Sequence, residues 1–130
     1  MLSHDFKIIN QEKIIQIDDD IILYILDTLL WIKTYSDKEL LKIKNGIQYY
    51  GYTYFDKEGI QNLKTIIVNW RNLFENAPSY FALKIYYSLE TNNFEKTYYL
   101  KKKVLSQFDD LINLCEGAVK ENQILVHMGI

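Results

Sequence analysis

The side chains that could act as catalysts or metal ligands are few. The chain has two histidines, His4 and His127, and one cysteine, Cys115. None of them has a second histidine or cysteine at zinc-binding spacing, so the sequence predicts no metal site and no cofactor. Cys115 lies on the apolar stripe of a predicted helix, which favours core packing over nucleophilic chemistry. His127 is interpreted as structural, with a role as a base or pH-sensitive group left open. His4 is expected in a peripheral or mobile N-terminal segment.

Charged clusters give the next candidates. Asp18, Asp19 and Asp20 precede a predicted helix, where they can cap it and complement its dipole. Asp109 and Asp110 are expected on the solvated side of another helix, with contact to a basic partner as the alternative. Adjacent acids on one helix point apart, which disfavours a catalytic pair. The lysines at 101–103 are expected to be solvated and to lie before the helix proper, with phosphate binding as the alternative.

No nucleotide-binding or hydrolase motif accompanies these clusters. The five glycines are scattered, so there is no phosphate-binding loop, and no serine occupies a nucleophile elbow. The sequence therefore predicts a protein without enzymatic activity.

Tyrosines are the most conspicuous feature of the composition. The chain has 11 tyrosines, and four of them fall in "GIQYYGYTYF", residues 46–55, which is predicted to be a strand. Most of the others lie in two further predicted strands. Strand propensity and cross-strand packing explain many of them, but an aromatic sheet face also suits a protein interface. Base stacking would need a positive groove beside the rings, and Lys84 and Lys96 offer only a weak one.

The hydrophobic pattern predicts the elements that position these side chains. They are a hairpin at 6–17 turning at 10–12, helices at 21–35 and 36–46, the tyrosine strand, a helix after the cap Asp56, a hairpin at 80–101, a helix at 101–122 and a final strand. We expect one α+β domain spanning residues 1–130. Its sheet would be mainly antiparallel, with four to five strands and three to four helices packed on it, and residues 1–17 would form a peripheral hairpin or a mobile segment.

Composition limits the classes of partner. The 15 Lys+Arg and 17 Asp+Glu nearly balance, and Arg71 is the one arginine. This argues against a nucleic-acid-binding protein, which usually carries a basic face. No signal peptide or membrane-spanning segment is recognised, and a single cysteine fits a reducing compartment. The sequence therefore predicts a soluble cytoplasmic protein that does not bind membranes.

Three segments carry a resemblance to a known group of proteins. They are "GIQYYGYTYF" running into a helix, "WRNLFENAPSYFALKI", and the terminal "ILVHMGI". Together they resemble the small immunity proteins of bacterial polymorphic-toxin and contact-dependent growth inhibition systems. The resemblance implies a non-enzymatic cytoplasmic protein that binds one cognate toxin domain and neutralises it.

An interface of this kind would combine aromatic anchors with acidic residues that steer a basic partner. The predicted partner-binding residues are Tyr50, Tyr52, Tyr54, Tyr86, Asp18, Asp19, Asp20, Asp109 and Asp110. Three alternatives stay open. One is a small regulatory, nucleotide-binding or nucleic-acid-binding domain of a mobile element. The second is a small enzyme that pairs His127 with a carboxylate, and the third is a homodimer formed through the tyrosine face.

Overall fold

The computed structural model describes residues 2–130, which form three helices and eight strands. The helices are α1 (Asp19–Leu29), α2 (Lys57–Phe74) and α3 (Lys101–Lys120). The strands are β1 (Ser3–Ile8), β2 (Ile15–Asp18), β3 (Lys33–Tyr35), β4 (Ile43–Asn45), β5 (Tyr52–Phe55), β6 (Tyr80–Ser88), β7 (Asn93–Leu100) and β8 (Leu125–Met128). The prediction of a single α+β domain is confirmed.

Six strands form one antiparallel sheet in the order β2-β1-β8-β5-β3-β4, which is one strand more than the largest sheet predicted. The predicted N-terminal hairpin is present, but it is not peripheral. β1 lies between β2 and β8, and its alternating side chains His4, Phe6 and Ile8 are buried. The expectation of a mobile or peripheral N-terminus is therefore wrong for residues 3–8.

The helices cover one face of this sheet. Phe6, Phe55 and Leu125 point from the sheet into the same core as the apolar stripes of all three helices. α2 and α3 pack together through the rings of Phe74 and Phe108, whose centroids are 5.6 Å apart. The opposite sheet face carries Tyr52 and Tyr54, which alternate with inward-facing residues of β5.

The predicted helix at 36–46 does not form. Asp37 instead organises a turn, because its carboxylate accepts hydrogen bonds from the backbone N–H groups of Leu41 and Lys42. The chain then enters β4, which is one of the two edge strands of the sheet. A carboxylate that bonds the local backbone in this way competes with helix formation. The first helix also ends earlier than predicted, at Leu29, and residues 33–35 form β3.

The tyrosine strand is shorter than predicted. Only Tyr52–Phe55 is a strand, and residues 48–51 form a turn in which the N–H of Gly51 donates to the carbonyl of Gln48. Gly129 packs against this turn so closely that a Cβ there would lie 2.1 Å from the carbonyl oxygen of Tyr49. Gly46 adopts the left-handed conformation, with a φ of 70°, although no helix directly precedes it.

The second hairpin, β6–β7, forms a separate two-stranded sheet. Its register shifts at a bulge between Leu83 and Tyr86. Strict alternation predicts that Tyr87 shares a face with Phe81 and Leu83, but the bulge gives that position to Tyr86. The three lysines at 101–103 also differ from the prediction, because they lie in the first turn of α3 and not before it.

Candidate binding site at the three aspartates

Two buried histidines meet beneath the N-terminus of α1. His127 is opposite Phe6 in the pairing of β8 with β1, so it faces the core, as does His4 two residues earlier in β1. Nδ1 of His4 lies 2.8 Å from Nε2 of His127, and Nε2 of His4 lies 2.8 Å from Oδ1 of Asp19. The strand pairing therefore aligns His127, His4 and Asp19 in one chain of hydrogen bonds.

His127 is held in its neutral form by burial. It is 0% exposed, and desolvation together with the neighbouring His4 lowers its pKa to about 3. Its Nδ1 has no hydrogen-bond partner within residues 2–130. A second proton on the ring would therefore place a charge in the core beside an atom that no acceptor contacts, which is costly.

Each of the three aspartates is fixed by a different element. Asp18 accepts a hydrogen bond from Gln107 of α3, and Asp20 accepts one of 2.8 Å from the hydroxyl of Tyr99 in β7. Oδ1 of Asp19 accepts from His4 and from the hydroxyl of Tyr49 in the 48–51 turn. The cause of the raised pKa of both tyrosines is first burial and then the hydrogen bond to an aspartate.

These aspartates line a surface cleft of about 190 Å³, bounded by Leu2, Asp18, Asp19, Asp20 and Tyr86 and here called the aspartate cleft. Within residues 2–130, no lysine or arginine forms an ion pair with any of the three carboxylates. Tyr86 is 45% exposed at the edge of the cleft, and its pKa is raised by partial burial and then by Asp20 and Asp19. An aromatic ring beside carboxylates that accept hydrogen bonds but contact no lysine or arginine of the described residues is chemically suited to a lysine or arginine side chain of a partner.

The structure brings together four of the nine predicted partner-binding residues, namely Tyr86 and the three aspartates. Tyr50 is 82% exposed in the 48–51 turn and packs edge-on against Tyr49. Tyr52 and Tyr54 lie on the helix-free face of the six-stranded sheet. Neither Asp109 nor Asp110 lines the aspartate cleft, and Asp109 is already paired with Arg71, whose Nε lies 2.9 Å from its carboxylate.

Sequence reasoning missed the residues that hold the cleft in shape. His4, Tyr49, Tyr99 and Gln107 were not among the predicted partner-binding residues. The alternation His4–Phe6–Ile8 was a usable signal for His4, because it places the histidine on the buried face of a strand. No signal in the sequence pairs Tyr99 with Asp20, because 79 residues separate them.

The alternative of an enzyme built on His127 predicts a deep pocket around a histidine with a shifted pKa. The pKa of His127 is shifted, but the ring is fully buried and does not line the aspartate cleft. Across residues 2–130, no group of three or more histidine, cysteine or acidic side chains is arranged to hold a metal ion. Cys115 is buried in α3, and desolvation raises its pKa to about 12.

Comparison with known proteins gives no further guidance. No protein-family model, curated protein or solved structure matches the chain. None of the helices in the described residues is long and apolar enough to cross a membrane.

Proposed function

We propose that this chain is a non-enzymatic cytoplasmic immunity protein, which binds a cognate bacterial toxin domain and neutralises it. The proposal joins the resemblance of three sequence segments to such proteins with one structural observation. That observation is the aspartate cleft, in which three fixed carboxylates, none of them paired with a lysine or arginine of residues 2–130, lie beside the exposed ring of Tyr86.

The cleft suits a basic side chain of a protein partner for two reasons. The carboxylates are held by Gln107, His4, Tyr49 and Tyr99, so binding costs little side-chain entropy. A lysine or arginine entering the cleft meets negative charge and an aromatic side chain together, which strengthens an ion pair beyond its value on an open surface. The surrounding negative potential raises the rate at which a basic partner associates.

Tyr86 and Tyr87 provide a matched pair of variants. They are adjacent tyrosines of β6 with 45% and 49% exposure, but they point to opposite faces of the hairpin. The experiment is a pull-down from the lysate of the native host with tagged wild-type protein, Tyr86→Ala and Tyr87→Ala. Mass spectrometry identifies the retained proteins.

We expect wild type and Tyr87→Ala to retain one protein in stoichiometric amount, including at high salt, and Tyr86→Ala to lose it. Truncation of a central aromatic anchor typically weakens binding by about 30-fold or more. The retained protein, expressed alone, should arrest growth, and co-expression of this chain should relieve the arrest. Retention of no stoichiometric protein, or of one that is harmless, would contradict the immunity function. Equal loss with both variants would contradict the assignment of the cleft.

A further inference from the structure

The β6–β7 hairpin has a second face, which points away from the aspartate cleft. We call it the outer hairpin face, and its members are Tyr80, Ala82, Lys84, Tyr87, Phe94, Lys96, Tyr98 and Leu100. Register fixes its composition, because Ala82 is opposite Tyr98 and Tyr87 is opposite Phe94. All members except Ala82 are exposed.

Aromatic rings dominate this face. The rings of Tyr80 and Tyr98 are stacked, with centroids 5.4 Å apart and planes within 12°. Tyr87 and Phe94 form an edge-to-face pair at 5.2 Å towards the tip of the hairpin. The rings therefore present planar surfaces at successive positions along the hairpin. Unpaired bases of a single-stranded nucleic acid stack on aromatic side chains arranged in this way.

The charge on this face is positive. Lys84 and Lys96 are exposed there, and none of its paired positions is acidic, since Glu95 is opposite Tyr86 and faces the other way. Negative and positive charges are therefore separated in space, since the three aspartates lie at the cleft and the two lysines lie on the opposite face of the hairpin. The nearly balanced charge of the whole chain does not reveal this separation. A ligand of this face should therefore be an anion with planar groups.

Further positive charge continues from the foot of the outer hairpin face. Leu100 is opposite Tyr80 and also lines a cavity of about 460 Å³ together with Ser79, Lys101, Lys102 and Leu105. The first turn of α3 contains three lysines and no acidic residue, whereas the first turn of α1 contains Asp19 and Asp20. Cations at a helix N-terminus oppose the dipole, so this placement is unfavourable for α3 and favourable for a bound phosphate.

We propose that the outer hairpin face and the adjoining α3 N-terminus bind single-stranded nucleic acid. The bases stack on the exposed rings, and the phosphates contact Lys84, Lys96 and the lysines of the first turn of α3. This binding is independent of toxin neutralisation, because it uses the opposite face of the hairpin. A duplex should bind more weakly, since its bases are already stacked on one another.

The test measures the fluorescence anisotropy of a labelled oligouridine whose length matches that of the hairpin. The oligouridine is titrated with wild type, Tyr98→Ala and Tyr86→Ala at several salt concentrations. Loss of one stacking ring should weaken binding by about 5- to 150-fold in Tyr98→Ala, while Tyr86→Ala binds as wild type. The slope of log affinity against log salt should be about −1.4 to −2.8, corresponding to two to four phosphate contacts. A double variant with Lys84→Ser and Lys96→Ser should reduce the magnitude of that slope by about 1.4. The double variant with Lys13→Ser and Lys38→Ser removes the same amount of charge elsewhere and serves as the control. Circular dichroism verifies that each variant is folded.

Several results would overturn the proposal. One is an affinity that Tyr86→Ala and Tyr98→Ala lower equally, and another is the absence of binding at low salt. Equal affinity for a duplex and a single strand would show that the bases do not stack on the rings. If an acidic polypeptide displaced the labelled oligouridine as effectively as unlabelled oligouridine does, the face would be assigned to an acidic protein. Self-association that Tyr98→Ala abolishes, measured by sedimentation, would assign it to a second copy of the chain. None of these outcomes depends on whether Tyr86→Ala retains the toxin.

Discussion

Acidification should destabilise this fold through His127. Its pKa in the folded protein is about 3 against an ordinary value of 6.5, so the unfolded chain takes up a proton at a higher pH than the folded protein does. The stabilisation that comes from keeping His127 neutral is therefore fully present above pH 6.5 and is lost as the pH falls towards 3. At pH 5 the unfolded state is favoured by about 2 kcal/mol relative to neutral pH, because each pH unit below 6.5 contributes about 1.4 kcal/mol.

That amount is large compared with the total stability of a small domain, which is about 5–15 kcal/mol. The assay is urea unfolding between pH 7.5 and pH 5, followed by far-UV circular dichroism, for wild type and for His127→Gln. The glutamine cannot be charged and retains an amide that can contact His4. The other ionisable groups are common to both proteins, so the difference between the two pH dependences reports on His127 and its contact with His4.

We expect His127→Gln to be less stable than wild type at pH 7.5, because it loses packing against Phe6 and His4. Between pH 7.5 and pH 5, however, its free energy of unfolding should fall by about 2 kcal/mol less than that of wild type. Parallel curves for the two proteins would refute the argument, since they would show that His127 is as easily charged in the folded protein as in the unfolded chain.

Two further predictions test the core and the 48–51 turn. Cys115 should not react with a thiol reagent at pH 8 in the folded protein and should react fully in unfolding urea, because burial raises its pKa to about 12; rapid reaction without urea would contradict this. Gly129→Ala should lower the free energy of unfolding by about 1–3 kcal/mol, because overpacking against the backbone of Tyr49 forces the turn to move. The control Gly117→Ala meets only Ile8 at 3.5 Å within a helix and should be neutral or stabilising, so equal losses for the two variants would contradict the steric argument.

Local patterns in the sequence predict much of the fold. The cap at Asp56 is confirmed by the hydrogen bond from the N–H of Gly59, and the amphipathic stripes of α2 and α3 form the core as expected. The predicted helix at 36–46 fails because the carboxylate of Asp37 holds a turn, and because Lys42, Ile43 and Lys44 are all exposed there. A segment without a buried stripe lacks the tertiary packing that stabilises most helices in proteins.

The candidate site was only partly predictable. Adjacent aspartates before a helix are visible in the sequence, and so is their negative charge. Their partners are not, because His4, Tyr99 and Gln107 come from elements whose proximity depends on the sheet order and on the packing of α3. Sequence reasoning therefore located the charges of the aspartate cleft but not the hydrogen bonds that fix them.

The bulge in β6 connects both proposals to one local feature. The register shifts between Leu83 and Tyr86. As a result, Tyr86 and Tyr87 each lie on the face of the hairpin opposite to the one that strict alternation predicts. Without the shift, Tyr87 would point towards the three aspartates, and Tyr86 would lie on the side of Tyr98 and Lys96. Bulges of this kind are a common means of redirecting a side chain next to a functional site. The positions of Tyr86 in the aspartate cleft and of Tyr87 on the outer hairpin face are thus consequences of the same irregularity, which is why Tyr86→Ala and Tyr87→Ala should affect different surfaces.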